Sequence, residues 1–360
     1  MENNYAIIMA GGIGSRFWPI SRTAHPKQFI DILGTGKTLI QHTYERFLKI
    51  VPKENIFIVT NNNYIDLVKE QLPDLNPNQI LGEPVIRNTA PCIAYGCYKI
   101  NKINPNASIV VAPSDHLIID TDEFVRCIKN SLKTASENNC LITLGIKPSR
   151  PDTGYGYIQF NTQKLGDDFF KVKTFTEKPN IELAKTFVQS GEFLWNAGIF
   201  VWSVKNILKA FEDHLPEMND IFKEGRAAYN TPNEYEFIES AFYQCTNISI
   251  DYGIMEKAED VYVLPAEFGW SDLGTWASVY ELAEKDYVGN AVIPSERVMM
   301  YDSSNCMVNV PEDKLVILQG LHDFIVVEDN NTLLICPREE EQSVKQIVAD
   351  VKHRFGVDFI

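Results

Sequence analysis

The sequence predicts an α/β fold: a mixed, mainly parallel sheet covered by helices on both faces, followed by a small β-rich domain. Three observations predict it. From residue 5 to about 285, short apolar runs alternate with segments of helical period. The early runs are continuously apolar rather than alternating, as in strands buried on both faces of a sheet. After Lys285 the texture changes to short strands broken by polar turns.

Taken in order, YAIIMA (5–10), NIFIVT (55–60), ASIVVAP (107–113) and CLITLGI (140–146) are strands bounded by turn formers. Between them, 37–50, 62–72, 88–103 and 121–138 read as helices, with Leu39, Thr43, Phe47 and Ile50 on one face of the first. GYGYIQF, FFKVKTFTEKP and FLWNAGIFVW read as longer, partly antiparallel strands, and helical patterns follow at 181–190, 204–213 and 233–242. Residues 290–336 give short strands separated by SSN, PED and EDNN. A closing helix then carries Val344, Ile347, Val348, Val351 and Phe355 on one stripe. That stripe suits a homodimer contact or a cover for its own domain. The expected division is 1–285 and 286–360.

Composition narrows the function. With Lys+Arg 33 against Asp+Glu 48 the net charge is −15, which excludes nucleic-acid binding through bulk positive charge. The first residues, MENNYAIIMAGG, lack the basic and long apolar regions of a signal peptide or membrane span, so no membrane association and a cytoplasmic location are expected. Seven cysteines without CxxC spacing read as reduced core thiols, and Cys92 and Cys97, the one near pair, do not suggest a metal site.

Two phosphate-loop patterns fail on inspection. GTGKT at 34–38 lacks the earlier glycine of a Walker loop, because Asp31 stands there. Gly12-x-Gly14 follows the first strand, but Phe17 takes the third glycine position of a dinucleotide fingerprint. What does stand out is the loop itself, GGIGSRFWPISRTAHPKQF at 11–29. Gly11, Gly12 and Gly14 allow backbone N–H groups to approach an anion, and Arg16, Arg22 and Lys27 follow within twelve residues. No acid occurs between Glu2 and Asp31, although 48 of 360 residues are acidic. A basic island in an acidic chain points to a ligand carrying several phosphates.

This loop resembles that of the sugar-nucleotide pyrophosphorylases. RFWPISR and PKQF are similar to the members acting on GTP and mannose 1-phosphate. The resemblance continues in order through EPVIRNTAPCIA, APSDHLI, GYGYI, FTEKP, LWNAGIF and FGWSDLGTW, over about the first 285 residues. It implies a Rossmann-like nucleotidyltransferase fold of the GT-A type with a small β-helix-like C-terminal domain. It also implies transfer of GMP from GTP to mannose 1-phosphate, with Mg²⁺ as cofactor and release of pyrophosphate. Nothing after 290 matches the isomerase domain of longer bifunctional members, so a single activity is expected.

The residues support that chemistry. A phosphate monoester, with a second pKa of about 6, needs no strong base to attack, so the absence of a Ser/His/Asp constellation fits. Charge neutralisation and positioning are what the reaction needs. Asp115, directly after a strand, is a candidate Mg²⁺ ligand, though an N-cap aspartate reads the same way. By resemblance Asp272 is the second ligand, Arg16 and Lys27 meet the triphosphate, and Lys178 meets the sugar phosphate. Ser15 and Ser114 complete the nucleotide set. Glu177 and Asn196 suit sugar hydroxyls, and Gly156 lets the pyranose lie against backbone. Glu83 is the candidate acceptor for guanine N–H groups, with Arg87, Asn88, Thr89 and Ala90 lining the base. A relative using another sugar 1-phosphate or nucleotide, and a silent paralogue that binds GDP-mannose, remain the alternatives.

Overall fold

The computed structural model describes residues 2–293 and 297–360. By compactness the chain divides into two units that alternate along the sequence. The first runs through Gly11 and takes up Thr43–Ser114 and Ile118–Trp270. The second comprises Gly12–His42, Asp115–Leu117 and Ser271–Ile360.

The first unit is built on a nine-stranded sheet: β1 (Asn4–Ala10), β2 (Ile56–Asn61), β3 (Ile80–Glu83), β4 (Ser108–Pro113), β5 (Leu141–Ile146), β6 (Gly156–Leu165), β7 (Phe169–Glu177), β8 (Phe193–Ser203) and β9 (Val261–Ala266). Their order across the sheet is β3-β2-β1-β4-β8-β5-β9-β7-β6. The half carrying β3, β2, β1 and β4 is parallel, as continuous apolar runs require. The other half is largely antiparallel, because β8 inserts between β4 and β5 and runs against both.

Two strands of this sheet and one α-helix of this unit escape the sequence reading. β3 has only four residues, ILGE, too few to show a period. β9 is interrupted by Pro265. The helix Pro216–Glu224 starts directly after the helix Val204–His214, so its own period is masked by its neighbour's. The helix Thr89–Ile103 is buried from Ala90 to Ile100. It shares one core with Phe57, Val59, Ile109 and Trp202 of the sheet and with Phe211, Phe222 and Phe242 of later helices. This packing fixes the carboxyl ends of the parallel strands, where such sheets present ligands.

The second unit contains β10 (Ala291–Ile293), β11 (Val298–Tyr301), β12 (Met307–Asn309), β13 (Val316–Gln319), β14 (Phe324–Asp329) and β15 (Thr332–Pro337). β10, β12 and β14 stack in parallel, as do β11 and β13, which is the coiled arrangement of a β-helix. Its core joins Ala291, Met307, Ile325 and Val327 to Phe17, Ile32, Leu273 and Trp276. Residues 286–360 are thus grouped with the basic loop at Gly12–His42. The stripe of the closing helix (Val344–Phe355) covers its own unit: Val344, Ile347, Val348 and Val351 pack on Trp18, Leu334 and Cys336. Phe355 lies outside that contact and is exposed. All seven cysteines are buried free thiols. Among the described residues no helix is long and apolar enough to cross a membrane.

Candidate active site

In the second unit, Gly14 adopts φ 69°, and a Cβ there would fall 2.5 Å from Lys27 Cβ. Only glycine meets both demands. The turn that follows, Ser15–Phe17, is pinned by Phe17, which is fully buried with its ring 5.1 Å from that of Trp276. Arg16, next to this anchor, lines a cavity of about 290 Å³ with Gly14, Ser15, Lys27, Asp115, His116, Asp272, Gly274 and Lys345. Four residues singled out from distant stretches of sequence, Arg16, Lys27, Asp115 and Asp272, therefore meet at one place. Arg16 Nε is itself buried without a hydrogen-bond partner among the described residues. A buried donor in that state favours an anionic acceptor.

Lys27 is 3% exposed, and its ammonium donates to Asp115 Oδ2 at 2.9 Å, Asp272 O at 2.8 Å and Leu273 O at 2.9 Å. Three donors meet three acceptors. Burial works against ionisation of Asp115, but Lys27 and then His116 outweigh it and hold the carboxyl below its ordinary value. Asp272 Oδ1 accepts from Gly274 N at 2.9 Å.

Two carboxylates on one cavity are hard oxygen donors of the kind Mg²⁺ takes, with its other positions left to water and phosphate oxygens. Among the described residues no three His, Cys, Asp or Glu side chains form a self-sufficient metal cage. The residues present thus fit an ion that arrives with a phosphate ligand.

The third cation of the basic island parts from this cavity. Arg22 is ion-paired with Asp329 at 3.3 Å and donates to the carbonyls of Pro19 and Asp329. Asp31 folds onto the GTGKT turn, accepting from Thr35 N at 3.0 Å and Gly36 N at 2.6 Å, so the N–H groups of that look-alike loop are already occupied.

In the first unit, Gly11 follows β1, Glu83 ends β3 and Ser114 follows β4. Glu83 is 5% exposed, and burial pushes its carboxyl up to about 8, with a Cys92 hydrogen bond opposing. Gly11 lies beside it, since a Cβ on Gly11 would stand 3.3 Å from Glu83 Oε2. Gly12 is exposed. Ser114 is buried, its N–H donating to Met9 O and its carbonyl accepting from Thr43.

The neighbouring block does structural duty. Arg87 donates to the carbonyls of Phe242 and Tyr243. Asn88 caps the helix through Thr89 N, Thr89 Oγ1 accepts from Ile250 N, and Ala90 N donates to Ile248 O. Of the residues expected around a base, Arg87 and Thr89 spend their side chains on this splice to 242–250, while Glu83 does not.

The sugar candidates do converge. Gly156 on β6 pairs with Glu177 on β7, and a Cβ at Gly156 would fall on Glu177 Oε2 and 3.4 Å from Asn196 Cβ. Lys178 Nζ is 2.7 Å from Glu177 Oε1. Asn196 Oδ1 accepts from Thr143 Oγ1 and Gly198 N, and its Nδ2 donates to Asp251 Oδ1 at 2.7 Å. Asp251 is the residue that sequence reasoning missed here. Burial and the Glu177 charge push it up to about 6. It stands in a π-helical turn, Asp251–Met255, a feature frequent at functional sites. The available signal was one acid within the apolar stretch NISIDYGIM.

Backbone strain marks the same places. Of the non-glycine residues with positive φ among those described, all are Asn or Asp except Lys178 (47°) and Leu273 (44°), the latter beside Asp272. Left-handed backbone at such residues persists where the surroundings impose it, and it clusters at functional sites.

The sequence matches a model described as nucleotidyl transferase over residues 5–288, and one described as MannoseP isomerase/GMP-like beta-helix domain over 296–351. It is 37% identical over 357 residues to a mannose-1-phosphate guanylyltransferase of Salmonella montevideo, covering 96% of this chain and 73% of that one. It is 36% identical to the protein of that name from Escherichia coli K12, covering 97% and 73%. A crystal structure described as mannose-1-phosphate geranyltransferase from Thermus thermophilus superimposes with a TM-score of 0.87 at 29% identity, covering 97% of this chain and 99% of that one. With the fold, the clustered residues and these likenesses together, the chain belongs to the nucleotidyl transferase family and is a nucleotidyltransferase enzyme.

Proposed function

We propose that the enzyme transfers GMP from GTP to mannose 1-phosphate, giving GDP-mannose and pyrophosphate. The observation that carries the reading is the cavity holding Asp115, Asp272 and the unpartnered Arg16 Nε. The sugar phosphate is already largely dianionic at neutral pH and attacks the α-phosphorus without a protein base.

Arg16 neutralises the β- and γ-phosphates and the departing pyrophosphate, with Gly12, Gly14 and Ser15 supplying backbone donors. Lys27 sets the position and ionisation of Asp115. When bound, Mg²⁺ held by Asp115 and Asp272 supplies charge neutralisation on the phosphates. Lys178 meets the sugar phosphate and Glu177 the sugar hydroxyls, while Asn196 is held in orientation by Asp251. Ionised Glu83 accepts from guanine N1–H and N2–H. The likeness to relatives named for mannose 1-phosphate supports the choice of sugar. The module boundary near 285 is supported by family matches ending at 288 and resuming at 296. The buried free thiols support a reducing compartment such as the cytoplasm.

The test is pyrophosphate release from GTP across a panel of sugar 1-phosphates, with and without Mg²⁺. Release with mannose 1-phosphate and Mg²⁺ is expected. Silence with every sugar sinks the reading, and a preference for glucose 1-phosphate sinks the choice of sugar.

A further inference from the structure

Lys345 lies in the closing helix, more than three hundred residues from the loop whose cavity it lines. Its place there is fixed. The preceding residue, Val344, is fully buried against Trp18, Leu334 and Cys336, which anchors the first turn of that helix. One turn earlier, Glu341 Oε2 accepts from Ala277 N at 2.9 Å. That bond registers the segment against the loop carrying Asp272 and Gly274. Burial raises the Glu341 carboxyl, while its bonds to Ala277 and Thr275 and the Arg16 charge oppose the rise. The segment therefore sits beside Arg16 by construction.

The charges around the cavity show what Lys345 can do. Its lining cations are Arg16, Lys27 and Lys345, and its lining carboxylates are Asp115 and Asp272. The three N–H groups of Lys27 are directed at Asp115 and two backbone carbonyls, so that charge is matched within the protein. Arg16 alone is a poor complement for a chain of phosphates carrying several negative charges. Lys345, lining the same cavity with a flexible stem and a compact charge, supplies the second cation that such a ligand requires.

We propose that Lys345 is a phosphate-binding residue of this enzyme, engaging the β- and γ-phosphates and the departing pyrophosphate, so that the closing helix contributes directly to the nucleotide site. This rests on the nucleotidyl-transfer reading above and deepens it.

The experiment uses the full chain with Mg²⁺ and inorganic pyrophosphate as the probe, titrated calorimetrically, beside the KM for pyrophosphate in the reverse reaction. The variants are Lys345→Gln, Lys345→Arg and, as a control for lost positive charge, Lys352→Gln on the same helix. Lys345→Gln is expected to weaken pyrophosphate binding and raise its KM by about tenfold or more. The KM for the sugar 1-phosphate and the melting temperature should not move. Lys345→Arg should restore most of the binding, and Lys352→Gln should match the parent.

Unchanged pyrophosphate binding in Lys345→Gln, with the parent active, overturns the proposal and leaves the reaction standing. Lys345-dependent pyrophosphate binding in a parent that transfers no nucleotide overturns the reaction and leaves the anion site standing. A parent that binds no pyrophosphate overturns both.

Discussion

Lys27 and Lys178 each meet a carboxylate at hydrogen-bond distance, 2.9 Å and 2.7 Å, yet they are different objects. The Lys27 side chain is 4% exposed and satisfied by three acceptors in the second unit. Lys178, in the first, is 64% exposed on a left-handed backbone and pairs with its own neighbour. Distance alone would rank them together. Burial and the number of acceptors separate a lysine that organises a site from one able to exchange its partner for a ligand. The two clusters differ in the same way. The cavity leaves a donor of Arg16 unmet, whereas the proposed sugar cluster satisfies itself through Asp251, Asn196 and Glu177 and would trade those bonds for hydroxyls.

The sharpest way to break this comparison is Asp272→Asn. It should lower kcat by about 100-fold or more while leaving sugar 1-phosphate binding and the melting temperature near the parent, as loss of a metal ligand does. Near-normal turnover removes Asp272 from the metal shell. Next comes the lysine pair. Lys27→Met strands Asp115 in a mostly buried place and should cost about 3 kcal/mol in urea unfolding. Lys178→Met should leave unfolding unchanged and raise the KM for the sugar 1-phosphate about tenfold. Equal stability losses in both would erase the distinction.

Asp251 gives a pH test. Its folded value of about 6 lies above the ordinary 3.8, so between those values the folded state holds more protons than the unfolded one. Its contribution to stability is therefore full below about 4, is lost as pH rises to about 6 and stays lost above. Asp251→Asn should be more stable than the parent by about 3 kcal/mol at pH 7.5 and no more stable at pH 4, by urea unfolding at both.

The smallest effect concerns Glu83, whose carboxyl sits at about 8. If it must ionise to accept from guanine, GTP affinity should improve as pH rises through about 8. Glu83→Gln should flatten that rise and cut the preference for GTP over ATP by about tenfold. A pH profile identical in parent and variant would remove Glu83 from the base pocket.

Most of the sheet was legible because its strands are apolar runs between turn formers, and Arg16, Lys27, Asp115 and Asp272 because each sits in a compact spaced block. What was not legible has physical causes. β3 is too short to show a period. Arg22 looks like Arg16 in sequence, and only tertiary contact reveals that Asp329 claims it. Arg87, Thr89 and Ala90, read as ligand-lining residues, also bond to 242–250, a pairing that no local pattern announces. Asp251 and Lys345 enter by long-range packing, one through a π-helical turn and one through a helix whose polar face looks merely solvated.

Trp18 Nε1 donates to Phe359 O at 2.6 Å, and Arg22 reaches Asp329. The loop is therefore fastened by residues made some three hundred positions later in the chain. A growing chain can form the parallel sheet early, since β1 to β4 are complete by Pro113. The cavity that Arg16 lines has to wait for Asp272, Gly274 and Lys345. Completion of the cavity is thereby postponed long past the synthesis of the loop that begins it.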